Sequence, residues 1–199
     1  DAVACLELTN NFMHLQTELG KYVGLTLFDT ARATATQLVE ALLIKKAYER
    51  NELVPNKPDS EETKKRYREP IQGAFVKTPT AGVYDNIAVL DFKSLYPSII
   101  ISHNIDATTL NCACCPKDEA FVSPQGHRFC RKNKGIIPTV LNDVLTTRFK
   151  IQHDMKSLNK DSQEYKQSYA RQWSLKILAN SMYGYLLYSR SRWYTREGG

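Results

Sequence analysis

Asn159-Lys160-Asp161-Ser162 is a short polar break between two long helical patterns, and its reading decides how much of the chain folds. Before it, Gly135 precedes a run with Pro138 near its start. Apolar residues then recur at Leu141, Val144, Leu145, Phe149, Ile151, Met155 and Leu158, the spacing of a helix that buries one stripe. After it, Ser162 is a suitable N-cap for a second helix that the pattern carries to about Leu187. Two long helices joined by so short a turn must form an antiparallel hairpin.

Outward from the hairpin the pattern changes several times. Residues 111–134 are basic, cysteine-bearing and irregular. Ile87-Ala88-Val89-Leu90-Asp91-Phe92 is a near-continuous apolar run ending at an acid, which predicts a strand buried on both faces. Pro97 then opens a short helix through Ser98-Ile99-Ile100-Ile101. Ala74-Phe75-Val76, a turn over Thr78-Pro79-Thr80-Ala81-Gly82, and Val83-Tyr84 read as a short hairpin. Residues 55–70 are polar, with the run Glu61-Glu62-Thr63-Lys64-Lys65-Arg66, and read as a solvated linker. Val3, Leu6, Phe12, Leu15, Leu19 and Val23 place helix over 1–29. Leu38, Leu42, Leu43 and Tyr48 continue it over 30–50, with an end near Asn51 before Pro55 and Pro58.

The chain has 199 residues, 42% hydrophobic and 24% charged, enough for a globular core. No aliphatic run is longer than four residues, such as Ala41–Ile44, which excludes a transmembrane helix, and no signal peptide opens the sequence. The net charge of +6 is uneven. Residues 1–127 carry 13 Lys/Arg against 16 Asp/Glu, a net −3, whereas residues 128–199 carry 14 against 5, a net +9. A basic C-terminal third points to a polyanion, phosphate first, although a solubilising face would give the same count.

Several residues carry chemistry. A carboxylate at the end of a buried strand, Asp91, must meet a cation, a metal or water, and magnesium favours such hard oxygen donors. At 100° per residue, Lys176, Asn180 and Tyr183 fall within about 60° of one another on a helix. Arg148 lies on the preceding helix with Gln152 one turn on, so the hairpin can aim Arg148 and Lys176 at one point. Two cations facing a metal-binding carboxylate are what a triphosphate needs. Of the five cysteines, Cys5 reads as core packing. Cys112, Cys114, Cys115 and Cys130 surround one loop, which is not the framework of a secreted protein and indicates an intracellular one. Cys112-x2-Cys115 with His127-x2-Cys130 has zinc-ligand spacing, but the adjacent Cys114-Cys115 pair is irregular for a ribbon and ranks a disulfide or free thiols ahead of zinc.

Asp91-Phe92-Lys93-Ser94-Leu95-Tyr96-Pro97-Ser98-Ile99-Ile100 resembles the first catalytic motif of family B DNA polymerases. Lys176-Ile177-Leu178-Ala179-Asn180-Ser181-Met182-Tyr183-Gly184 resembles that family's helical nucleotide-binding motif. Ala47–Leu53, Gly126–Cys130 and Arg192-Trp193-Tyr194 extend the likeness over essentially the whole chain and toward the archaeal branch. The resemblance implies an α+β fold, a partial palm of antiparallel sheet with helices plus a helical fingers hairpin. Its expected segments are the tail of an exonuclease domain with connecting helices (1–55), the first part of the palm (56–137), the fingers (138–188) and a return into the palm (189–199).

The same resemblance assigns roles. Asp91 would bind two Mg2+ ions with the Phe92 carbonyl as a further ligand. Ser94 and Leu95 amides would receive phosphate oxygens, and Tyr96 would lie under the sugar and exclude a 2′-hydroxyl. Arg148 and Lys176 would grip the phosphates, while Asn180, Tyr183 and Gly184 would line the nascent-pair pocket. Gly73, Ala74, Arg192 and Tyr194 would touch DNA, and Asp1 would be the last acid of an exonuclease site. Implied partners are primer–template DNA, dNTPs and, for a full-length protein, a sliding clamp, in the cytoplasm of an archaeal-type cell and without a membrane. The family's thermophilic archaeal members often bridge the cysteine loop by a disulfide.

Three departures accompany the likeness. Gln152 stands where the family commonly has a second cation, and Ile71 where a Tyr often precedes the Gly73-Ala74 pair. The family's third motif, a Tyr-Gly-Asp-Thr-Asp-like hairpin carrying the second metal-binding carboxylate, is not among these residues and is expected beyond Gly199. The chain by itself is therefore expected neither to proofread nor to polymerise. The rival expectation from another class is a non-catalytic DNA-binding module, or one half of a split or inactivated polymerase.

Overall fold

The structure, a computed structural model, describes residues 1–69, 73, 75–116 and 118–199. Seven α-helices and one two-stranded sheet follow in order: α1 Ala2–Val23, α2 Leu27–Arg32, α3 Ala35–Glu49, α4 Ser60–Arg68, α5 Leu95–His103, β1 Phe121–Val122, β2 Arg128–Phe129, α6 Ile136–Asp154 and α7 Gln163–Leu187. The α6–α7 hairpin forms where the sequence places it. A 3-10 turn over Met155–Ser157 ends α6, and the Ser162 hydroxyl accepts from Tyr165 N at 3.1 Å to cap α7. None of the helices is long and apolar enough to cross a membrane, among the described residues.

Helix α7 is the axis of the molecule. Leu175, Leu178, Met182 and Leu186 are buried on it, against Leu19 and Val23 of α1, Leu42 and Leu43 of α3, Ile100 of α5 and Leu141 and Val144 of α6. One continuous core thus joins helices of segment 1–55 to the hairpin. The expected α+β class holds, with helix predominating.

Local chemistry corrects several expectations. The first 50 residues form three helices rather than one continued pattern. Gly24 takes a left-handed conformation (φ 81°) and its N–H reaches the Gly20 carbonyl at 2.8 Å, a chain-reversing cap. Thr34 and Gln37 then start α3 with a reciprocal capping box. The supposed linker 55–70 contains α4, which Asp59 caps by accepting from Glu62 N at 2.8 Å. Acids in its first turn and bases in its last favour a helix with no buried residue. Cys5 is exposed rather than in the core, because α1 packs only through its last turns; Val3, Leu6 and Phe12 are exposed with it.

The largest correction concerns the strands. The hairpin expected over 74–84 and the buried strand over 87–92 are absent among the described residues, where the chain is irregular and Val83, Val89, Leu90 and Phe92 are exposed. A strand requires a partner for its N–H and C=O groups, and no described residue pairs with this segment. The pairing that does form lies in the stretch expected to be irregular: β1 and β2 are antiparallel, with Phe121 opposite Phe129 and Val122 opposite Arg128. Gly126, at φ 86°, closes their turn.

Buried polar groups fasten α5 to α6. Asn104 Nδ2 donates to the Cys130 and Asn133 carbonyls at 2.6 and 2.8 Å, and its Oδ1 accepts from Gly135 N at 3.0 Å. Asp106, fully buried, accepts from Ile137 N and from the Thr108 amide and hydroxyl, each at 2.8 Å. Burial pushes its carboxyl above the usual range, against the pull of these hydrogen bonds. Gly135 is required for the close approach, since a Cβ there would lie 2.5 Å from that of Asp106. Asp106→Ala is expected to destabilise the chain by about 2–3 kcal/mol, because it leaves buried donors at the start of α6 without an acceptor. Urea denaturation checks this; a loss below about 0.5 kcal/mol would mean the α6 start is held by other contacts.

Candidate functional site

One side-chain bond crosses the hairpin in register with its apolar core. Gln152 Nε2 on α6 donates to Gln172 Oε1 on α7 at 3.3 Å. In an antiparallel pair, one turn back on α6 and one turn on along α7 lead the same way, about 6 Å along the axis. Arg148 and Lys176 therefore stand level across the hairpin. Gln152, where a second cation is expected, thus bonds across the hairpin one turn from Arg148. Arg148 is half-buried, and its Nε lies buried without a hydrogen-bond partner among the described residues. Burial lowers its pKa from the usual arginine value. Lys176 rests its Nζ 4.4 Å from the centre of the Trp173 ring, a cation–π contact, and no ion pair to it forms among the described residues.

Two contacts bring the segment before α5 to this face. Lys93 Nζ sits 4.0 Å above the ring of Phe149, the residue next to Arg148. The Tyr96 ring stacks on Tyr183 of α7 with centroids 4.5 Å apart and planes at 24°. Burial, and then the neighbouring Tyr96, push the Tyr183 hydroxyl above the ordinary phenol range. A cavity of about 550 Å3 opens beside the two rings, walled also by Ile100, His127 and Phe129.

Asp91 precedes Lys93 by two residues, in the irregular exposed segment. Its carboxylate is therefore open to solvent, not desolvated at a strand end as the apolar run suggested, and it can take a cation without leaving a buried position. Phe92 is exposed beside it. Ser94 adopts a left-handed conformation (φ 55°) and gives α5 no side-chain cap, so the Leu95 and Tyr96 amides at the helix start have no intrahelical acceptor. Asn180 is exposed on the Lys176 face, and a Cβ at Gly184 would meet nothing within 4 Å, which leaves open backbone there.

The remaining expected residues lie elsewhere. Arg192 is held inside the molecule: its Nε meets Glu40 Oε1 at 3.4 Å and its Nη1 donates to the Pro55 carbonyl at 2.7 Å. Tyr185 joins this network, donating to Glu40 Oε2 at 3.0 Å and accepting from Arg192 N at 3.2 Å. Tyr194 lies under the Arg66 guanidinium, 4.5 Å from it, with its hydroxyl buried. Gly73 is exposed with open space around it; Ile71 and Ala74 lie outside the described residues. Asp1 is exposed and makes no cap bond to α1.

At the cysteine loop the sulfurs of Cys112, Cys114, Cys115 and Cys130 all lie within 4.8 Å of one another. Cys114 is in this group, and His127 faces the cavity instead. The backbone N–H groups of Arg131 and then Lys132 aim at the Cys115 sulfur and hold its pKa down to about 6. Gln172, Trp173, Phe149 and Lys93 were not singled out in the sequence. The i, i+4 step from Gln172 to Lys176, mirrored by Arg148 to Gln152, was the signal that could have found the first of them.

The family model for DNA polymerase family B matches residues 26–197. The chain is 47% identical over 198 residues to DNA polymerase 1 of Pyrococcus abyssi and 47% identical over 198 residues to the DNA polymerase of Thermococcus gorgonarius. Each match covers 99% of this chain and 25% of the relative, so the chain spans about a quarter of the length of the curated relatives it matches. The structure of the family B DNA polymerase from the hyperthermophilic archaeon Pyrobaculum calidifontis superimposes with a TM-score of 0.79 at 35% identity, covering 96% of this chain and 25% of that one.

The ring stack has a measurable consequence. Denaturation of the wild type, Tyr96→Ala, Tyr183→Ala and the double variant should give a coupling of about 0.5–1.5 kcal/mol. A coupling indistinguishable from zero would separate the two rings.

Proposed function

The chain belongs to DNA polymerase family B, and we propose that it is the nucleotide-gripping part of a DNA-directed DNA polymerase that adds dNTPs to a primer 3′-hydroxyl. The observation that carries this reading is the meeting of the segment after Asp91 with the hairpin, Lys93 on Phe149 beside Arg148 and Tyr96 on Tyr183. In this reading segment 1–55 is the exonuclease-domain tail, 56–137 and 189–199 belong to the palm, and 138–188 are the fingers. The surrounding enzyme works on primer–template DNA in an archaeal-type cytoplasm, with a sliding clamp as a further partner.

The donors suit magnesium in kind, because the exposed Asp91 carboxylate and the Phe92 carbonyl are hard oxygens. When bound, a pair of such ions would supply charge neutralisation on the triphosphate and activation of the primer hydroxyl. In this reading the second metal-binding carboxylate is supplied by another part of the enzyme. The protein's own part is positional. Arg148 is half-buried on the hairpin, and in this reading its planar guanidinium grips a phosphate oxygen through charge-assisted hydrogen bonds. Lys176 swings off Trp173 to the same phosphates, and the amides of Leu95 and Tyr96 offer two more donors. Tyr96, braced by Tyr183, lies beneath the sugar and rejects a 2′-hydroxyl by lack of space.

Residues 1–199 placed in the Thermococcus gorgonarius polymerase, in exchange for the 198 residues they match, should give an enzyme that extends a primer with all four dNTPs. The same exchange with Asp91→Ala should bind primer–template normally and extend it at least about 100-fold more slowly. The 199-residue chain by itself should not extend. An exchange that binds DNA but never extends it would favour the non-catalytic module.

Within that exchanged enzyme, Tyr96→Ala should raise rNTP relative to dNTP insertion by at least about tenfold, or about 1.4 kcal/mol of differential barrier. Single-nucleotide kinetics with dCTP and rCTP measure it. An unchanged ratio in a folded variant would return Tyr96 to a packing role.

A further inference from the structure

The segment from Asn111 to Lys134 is tied to its neighbours by polar and ring contacts, among them Asn104 to the Cys130 and Asn133 carbonyls and Phe121 to His103, but it has little apolar core of its own. Its sheet is two residues per strand, and its own core consists of Cys115, Ala120 and Cys130 with Cys112 packed alongside, separate from the main core. So small an apolar cluster cannot offset the cost of ordering a loop of this length, and small units of this kind need a staple.

The sulfur positions indicate which staple. Cys114 Sγ lies 3.9 Å from Cys115 Sγ and 3.4 Å from Cys130 Sγ, and Cys115 Sγ lies 3.6 Å from Cys130 Sγ. Cys112 completes the group, with all four within 4.8 Å. Four thiolates at about 2.3 Å around one tetrahedral ion stand about 3.8 Å apart, whereas a disulfide needs about 2.05 Å and uses only two of the four. The spacings therefore match a shared central ion better than any one pair.

The surroundings agree. Asn133 N donates to Cys130 Sγ at 3.3 Å and Asn133 Nδ2 to Cys114 Sγ at 3.8 Å, the kind of outer-shell bond that orients thiolate ligands. A tetrathiolate site around a divalent ion carries a net charge of −2, and Arg131, Lys132 and Lys134 follow Cys130 directly in the chain. We infer that Cys112, Cys114, Cys115 and Cys130 form a structural tetrathiolate zinc site that folds the loop between α5 and α6.

Soft thiolates in a closed tetrahedral set select zinc over the hard ions that suit carboxylates. Binding deprotonates each thiol still protonated and releases those protons to solvent. No sulfur changes oxidation state, so no oxidant is needed. The site would fix the Cys130 carbonyl that Asn104 grips and the His127–Phe129 wall of the cavity beside Tyr96. It would thus act on the nucleotide face by positioning its floor.

The test uses the 199-residue chain purified without chelator. Elemental analysis should find one zinc per chain, lost in Cys114→Ser and Cys130→Ser and kept in Cys5→Ser and His127→Ala. Because the two ligand variants can fail to fold, the wild type is also loaded with Co2+ alone. It should show sulfur-to-cobalt charge transfer and the intense visible bands of a tetrahedral thiolate site. Substoichiometric zinc at saturating metal, a cobalt spectrum without those bands, iron in place of zinc, retention of zinc by a folded Cys114→Ser chain, or an intact mass short by two hydrogens would each overturn the inference.

Discussion

The burial of α7 on several sides is the constraint on which the rest depends. Each fully buried leucine on it contributes about 1.5–3 kcal/mol relative to exposure, so Leu175, Leu178 and Leu186 together rival the whole net stability of an ordinary domain. The α1, α3, α5 and α6 helices pack against this axis. Among what they leave uncovered is a strip with Lys176, Asn180 and Gly184 on it, beside Tyr183, which Tyr96 of α5 covers. The strip is polar because it is the part of α7 that no helix covers, and the same packing that fixes the core aims these side chains outward.

How far this was legible depends on how local each feature is. The α6–α7 hairpin, its cap at Ser162 and the short helix at Pro97 follow from patterns within a few residues, and they form where expected. The apolar run 87–92 does not become a strand because its partner is not a neighbour in sequence; periodicity reports a preference for burial, not what covers it. Helix α4 escaped notice because its support is charge and capping rather than an apolar stripe.

The site was legible in its residue types and only partly in its arrangement. Lys176, Asn180 and Tyr183 share a face by helical geometry, and Tyr96 meets Tyr183 as motif order alone could not state. Gln152 is read as a missing charge, whereas in space it bonds to Gln172 across the hairpin. Arg192 is expected to touch DNA, and in space it also joins Tyr185, seven residues before it, to distant Glu40. The adjacent Cys114-Cys115 pair counted against a metal when judged by spacing, but the loop folds so that both sulfurs face Cys130.

The Lys176–Trp173 contact has an optical consequence. The chain has two tryptophans, and Trp193 is only 2% exposed, enclosed in the main core. Trp173 is 38% exposed with an ammonium over its ring, and a cation so placed perturbs indole emission. When Lys176 leaves that ring for an anion, one indole changes its surroundings while the other supplies a constant background. The molecule therefore contains its own fluorescent reporter, sensitive to whether the lysine is parked or engaged, with no dye attached.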